Sequence, residues 1–150
     1  MVLKEPTGEP VVILLVEDNA DHRELVLRTL SSHKVVNNVR CVEDGQAALD
    51  YLNRRDRYTD PELNPRPHVI LLDLRLPKVD GLDVLQEIKN DNELRRIPVI
   101  VLTTSDADTD KTRAYDRYVN SYLVKPVDFD GFTRLLKDLG FYWMVWNKQA

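Results

Sequence analysis

The chain has one cysteine among 150 residues, so Cys41 has no intramolecular disulfide partner. A lone thiol in an apolar segment suits a reducing compartment and is expected as a small core residue. The opening MVLKEPTGEP lacks the apolar centre of a secretory signal, and no apolar run approaches the length of a membrane span. A formal charge of -4 and a pI near 5.4 leave no basic excess of the kind that nucleic-acid modules carry. Three histidines, His22, His33 and His68, fall at no spacing suited to a transition metal or a catalytic pair. His22 lies near acidic residues but is expected on an exposed first helical turn. Internal repeats and low-complexity tracts are missing as well. These absences point to a cytoplasmic protein of one domain, with neither nucleic acid nor membrane as a partner. At this length a core can bury about 70% of the surface of the unfolded chain.

Short apolar runs do occur, and they alternate with segments of helical period. VVILLV (11–16), VRCV (39–42), HVILL (68–72), IPVIVLT (97–103) and SYLV (121–124) read as strands. Helices are expected around Leu25 to Leu30 with Asn19 as a cap, around Ala47 to Leu52 behind Asp44, and around Leu82 to Ile88. Weaker periodicity at Ala114, Tyr115 and Tyr118 suggests a fourth, and Phe129, Phe132, Leu135, Leu136 and Leu139 mark a fifth. Strands apolar on both faces, alternating with helices, predict a flavodoxin-like (βα)5 doubly wound α/β sandwich. Its five-stranded parallel sheet takes the order 2-1-3-4-5. Residues 1–10 read as an N-terminal extension and 11–150 as the domain. The segment 53–67, with three prolines and seven charged residues, reads as a surface loop without chemistry.

Ligands of such sheets sit beyond the carboxyl ends of the strands, so the residues that follow each apolar run carry the argument. Glu17 and Asp18 follow the first, Asp73 ends the third, Thr103 and Thr104 end the fourth, and Lys125 follows the fifth. Three carboxylates on neighbouring strands repel one another unless protons or a cation neutralise them. Magnesium is suited to that role because it takes oxygen ligands from one or two carboxylates together with phosphate oxygens. An aspartate can accept a phosphoryl group as a mixed anhydride, with lysine and a hydroxyl facing its oxygens. Phosphoryl transfer onto Asp73 is therefore the expected chemistry, driven by positioning and charge neutralisation.

The segments VEDN (16–19), DLRLPKVDG (73–81), VLTTS (101–105) and YLVKP (122–126), in this order, resemble the receiver domains of two-component response regulators. The resemblance implies that Asp73 accepts a phosphoryl group from a histidine kinase. It implies a magnesium (or manganese) site of Glu17, Asp18, Asp73 and the backbone carbonyl of Arg75, with Asp18 a direct ligand and Glu17 acting mainly through water. Thr103 and Lys125 would engage the phosphoryl group, and Tyr122 would act with Thr103 as the switch that remodels the face of the fourth helix, fifth strand and fifth helix. Pro126 would follow a cis bond that aims Lys125 into the site. Such a domain is expected to carry a signal rather than act as a conventional enzyme, and no output domain is expected after the fifth helix.

Arginine at position 75 is unusual for the pattern, and Arg75 with Ser105 is expected to tune the lifetime of the phosphoryl group. The closing LGFYWMVWNKQA adds Phe141, Tyr142, Trp143 and Trp146, an aromatic surface expected to form a homodimer through the switch face. NSYLVKPVDFDGF, the closing LGFYW and the LTTS stretch resemble the small regulators paired with bacterial and cyanobacterial phytochromes, which implies a light-regulated histidine kinase as partner. Two other classes fit less well. A haloacid-dehalogenase-like phosphatase would place an aspartate where Arg75 stands. An FMN-binding flavodoxin would need a phosphate-cradling loop where Glu17 and Asp18 stand.

Overall fold

The structure is a computed structural model that describes residues 11–31, 37–103, 121–125, 130–131 and 134. Its elements in chain order are β1 (Val11–Val16), α1 (Ala20–Ser31), β2 (Asn37–Val42), α2 (Gly45–Leu52), β3 (Val69–Asp73), α3 (Gly81–Asn90), β4 (Val99–Thr103) and β5 (Ser121–Val124). All strand pairs are parallel, in the order β2-β1-β3-β4-β5. The expected five-stranded doubly wound sheet is therefore present. The expected fourth helix, Pro126 and the aromatic terminus lie outside the described residues, and of the expected fifth helix only Asp130, Gly131 and Arg134 are described, all three helical.

Alternation along each strand divides the core into two layers. Leu14, Val16, Ile70, Leu72, Val99 and Val101 point to the side of α2 and α3, where Ala48, Leu49, Val84, Leu85 and Ile88 complete the layer. Ile13, Leu15, Val69, Leu71, Ile100 and Leu102 point the other way, toward Val26 and Leu30 of α1. β3 is central, and its four apolar residues are fully buried. Each such side chain contributes about 1.5–3 kcal/mol, so the strand offsets the cost of holding a carboxylate at its end.

Helix starts follow the expected capping. His22 N–H donates to Asn19 Oδ1 (3.0 Å) and Ala47 N–H to Asp44 Oδ1 (2.7 Å). The expected loop 53–67 holds a 3-10 turn at Asp56–Tyr58, and the buried Tyr58 ring lies 5.3 Å from that of Tyr51. Tyr51 also donates to the carbonyl of Pro65 at 2.8 Å. Cys41 departs from expectation: it is exposed, because β2 is an edge strand and is covered less fully than the strands inside the sheet.

Candidate functional site

Strand register brings the site together. Val16 pairs with Leu72, so Glu17 and Asp73 come next to each other at the ends of β1 and β3. Asp73 pairs with Leu102, and Thr103 with Val124, which puts Lys125 one residue past the end of β5 on the same side of the sheet. One carboxylate oxygen each from Glu17, Asp18 and Asp73 lies within 4.8 Å of the others. Asp18 is exposed, whereas Glu17 is fully buried and Asp73 is 7% exposed. The more deeply buried acid is thus Glu17 rather than the strand-terminal Asp73.

Lys125 spans β4 to reach both buried acids. Its Nζ donates to Glu17 Oε1 and to Asp73 Oδ2, the latter at 3.1 Å. The other oxygen of Asp73, Oδ1, accepts the Arg75 backbone N–H at 3.0 Å, while the Arg75 side chain is exposed. Glu17 Oε2 accepts the Asn19 N–H at 3.4 Å. The described residues thus place Glu17, Asp18, Asp73, Arg75 and Lys125 together, and they include the backbones of Thr103 and Tyr122 in β4 and β5. Ser105 lies outside them, as do Phe141, Tyr142, Trp143 and Trp146.

Two buried acids beside one ammonium resist ionising together, so their protons come off in separate steps. Burial pushes Glu17 up to about 7, reinforced by its hydrogen bond with Asp73 and partly offset by Lys125. Burial also pushes Asp73 up, but hydrogen bonds from Glu17 and Arg75 N–H, together with the charge of Lys125, outweigh it and hold Asp73 below its usual value. Below about pH 7 Glu17 therefore holds the proton and Asp73 the charge. Three convergent carboxylates, two of them desolvated, form a donor set suited to a hard divalent cation, which would take over from that proton.

Arg23, which sequence reasoning passed over, and His22, which it placed on an exposed turn in preference to the crevice, support this arrangement. Arg23 Nη1 donates to the carbonyl of Glu17 at 3.0 Å and to that of Asp18 at 3.5 Å, while Nη2 faces Glu43 Oε1 at 3.4 Å. A cation in the first turn of α1 opposes the helix dipole, and that mismatch was the available signal. Arg23→Ala is expected to weaken divalent-cation binding about threefold to tenfold and to cost about 1–2 kcal/mol of stability, because two carbonyls lose a charged donor. Calorimetric titration and thermal unfolding measure both. His22, expected to be exposed, is half-buried with Nδ1 3.0 Å from Lys125 Nζ.

Glycine positions the turn that carries Arg75. Gly81 N–H donates to the Leu74 carbonyl (3.1 Å) and Gly45 N–H to that of Pro77 (3.3 Å). Lys78 adopts φ 69°, and its Nζ lies 3.5 Å from Asp44 Oδ2.

An acidic cluster beside a lysine, at the ends of β1, β3 and β5 of a 2-1-3-4-5 sheet, is the arrangement of a receiver domain. The chain matches the response regulator receiver domain over residues 13–137 and belongs to that family. It is 46% identical over 140 residues to the probable methanogenesis regulatory protein FilR2 of Methanothrix harundinacea, covering 93% of this chain and 88% of the relative. The solved bacteriophytochrome response regulator AtBRR is 46% identical, with TM-score 0.82 over 91% of this chain and 96% of that one. Response regulator Rcp1 of Synechocystis sp. is 38% identical over 142 residues, 95% of each chain. The Mn2+-bound form of Rcp1 has TM-score 0.71 at 40% identity, covering 90% of this chain and 95% of that one. Among the described residues, no helix is long and apolar enough to cross a membrane.

Proposed function

We propose that this protein is a cytoplasmic response regulator that accepts a phosphoryl group on Asp73 from a histidine kinase. The observation that carries the reading is Lys125 Nζ, delivered from the end of β5 to within 3.1 Å of Asp73 Oδ2 beside Glu17 and Asp18. An Asp73 carboxylate oxygen attacks phosphorus, the P–N bond of the phosphohistidine breaks, and the imidazole leaves with the electron pair. The acyl phosphate remains on Asp73. Lys125 then turns its donors to the phosphoryl oxygens. Glu17, Asp18, Asp73 and the Arg75 carbonyl would hold Mg2+ or Mn2+, which neutralises charge on the transferred group.

In this reading Thr103 and Tyr122 switch the face built from the fourth helix, β5 and the fifth helix, and the aromatic terminus of Phe141, Tyr142, Trp143 and Trp146 lets two copies associate there. The kinase is of the phytochrome type, a choice supported by similarity to AtBRR and Rcp1. Arg75 and Ser105 set how long the signal lasts. The domain acts as a signal carrier, with its own groups assisting both gain and loss of the phosphoryl group.

Mass spectrometry after incubation with Mg2+ and acetyl phosphate tests the reading: an adduct of about 80 Da forms on wild type and none on Asp73→Asn. Equal adducts on both proteins would remove Asp73 from its role. Phosphotransfer from a phytochrome kinase compared with unrelated kinases tests the partner.

The shared proton gives a second expected result. Since Glu17 titrates near 7 in the cation-free protein, bound cation and proton exclude each other. The association constant for Mg2+ is expected to fall about tenfold per pH unit between about pH 7 and pH 6 and to level off above about pH 8. Isothermal titration in buffers of different ionisation enthalpy measures the released proton directly. A pH-independent affinity across that range would refute the competition.

A further inference from the structure

An ammonium group carries three N–H donors and no acceptor. In this protein each donor of Lys125 has a partner: Glu17 Oε1, Asp73 Oδ2 at 3.1 Å, and His22 Nδ1 at 3.0 Å. Two of those partners are carboxylates that a divalent cation or a phosphoryl group would claim. The third is the imidazole of α1, whose place is fixed by its own backbone, because His22 N–H donates to the Asn19 cap at 3.0 Å. Since lysine can only donate, Nδ1 accepts, and the ring proton of the neutral imidazole sits on Nε2. His22 Nδ1 also lies 3.7 Å from Glu17 Oε1. The imidazole therefore closes the third side of a small polar cage around the ammonium, and the lysine side chain is only 9% exposed.

We propose that His22 is a positioning residue for Lys125. It holds the ammonium beside Asp73 while the carboxylates are drawn to the cation and the phosphoryl group arrives. The proposal rests on the reading of Asp73 as phosphoacceptor and adds the residue that keeps its lysine in place. A flexible four-carbon stem has many rotamers, and losing one of three anchors lets the ammonium leave the position where charge develops. The consequence falls on the rate at saturating donor and leaves cation binding intact, because His22 does not belong to the carboxylate triad.

The choice of variants follows from atom positions. In His22→Asn, Oδ1 occupies the place of the imidazole Nδ1 and still accepts, whereas His22→Leu fills that place with a methyl group. The side chain is 38% exposed, so both variants are expected to fold, and thermal unfolding checks it. With Mg2+ and acetyl phosphate, the maximal rate of Asp73 phosphorylation is expected to fall about tenfold in His22→Leu and to recover most of that in His22→Asn. Half-saturating phosphodonor and the Mg2+ dissociation constant stay within about twofold of wild type. In a Lys125→Met background, His22→Leu adds no further loss.

Nitrogen-15 spectra of labelled histidine in the cation-free protein give a readout independent of phosphorylation. His22 should show the Nε2–H tautomer, with an Nδ1 resonance that moves in Lys125→Met. An unchanged maximal rate in His22→Leu, equal losses in the Asn and Leu variants, or a loss that persists without Lys125 would each overturn the proposal. Failure of wild type to gain an adduct would instead overturn the assignment of Asp73. The nitrogen-15 comparison would still decide whether His22 anchors Lys125.

Discussion

Asp73→Asn is expected to make the cation-free protein more stable at about pH 8, by about 1–2 kcal/mol or about 3–6 °C in unfolding midpoint, while abolishing phosphoryl uptake. The reason lies in the pair of buried acids that share a single ammonium. Asparagine keeps the shape of the side chain and an oxygen to accept the Arg75 N–H, but it carries no charge into the site. The direction with pH follows from the two shifts. Glu17, raised from 4.5 to about 7, contributes stability below the unfolded value and loses it as pH rises through about 7. Asp73 supplies two of the causes of that rise, so replacing it lowers the Glu17 value and relieves the loss at higher pH.

Asp73 is itself depressed, so its contribution is present above the unfolded value and is lost as pH falls through the folded one. The variant forgoes this contribution at every pH above that range. At about pH 5, where Glu17 is protonated in wild type and its conflict with Asp73 is absent, the advantage of the variant should therefore shrink or reverse. Saturating Mg2+ should also stabilise wild type more than Asp73→Asn, because the variant lacks one charged ligand. Thermal unfolding in chelator and in Mg2+, at both pH values, resolves these terms. A variant less stable than wild type at about pH 8 without cation would show that the two acids are not in conflict.

That conflict shows what the sequence could and could not reveal. Strand positions were legible because apolar runs of four to seven residues are bounded by polar ones, and the order of the sheet then put their carboxyl ends along one edge. Asp73 and Lys125 could be placed because each ends or follows a strand, where backbone direction alone determines which edge a residue occupies. The division of labour between Glu17 and Asp73 could not be read, since it depends on which acid is more deeply desolvated, and burial is a property of neighbours distant in sequence. Arg23 escaped, and His22 was assigned to solvent in preference to the crevice, for a related reason. A residue in the first turn of α1 points to solvent or to the site according to how the helix is rotated on the sheet. The hydrophobic stripe of α1 defines that rotation too coarsely to place a single ring nitrogen. Cys41 misled because an apolar strand was assumed to be covered, whereas β2 is an edge strand.

Glycine was equally silent in the sequence, and it accounts for the second large effect. A Cβ on Gly45 would sit 2.0 Å from the Val79 carbonyl oxygen, and one on Gly81 would sit 2.6 Å from the Asp73 carbonyl oxygen and from Leu74 Cα. In both cases the obstacle is backbone, which cannot swing aside as a side-chain tip can. Alanine gains about 1 kcal/mol over glycine within a helix, but a contact this close forces α2 or α3 away from the turn. Overpacking of that kind costs about 1–3 kcal/mol or more, so the steric loss outweighs the helical gain in each variant. The two should differ in function. Gly81→Ala presses on the peptide that carries Asp73, so phosphoryl uptake is expected to fall about tenfold or more even at temperatures where the protein stays folded. Gly45→Ala presses on Val79, six residues beyond Asp73, and is expected to lower the unfolding midpoint by several degrees with a smaller effect on uptake. Phosphorylation rates measured well below each unfolding midpoint separate the two outcomes. If Gly81→Ala takes up phosphoryl groups at the wild-type rate, the close approach of α3 to the Asp73 peptide does not position the acceptor.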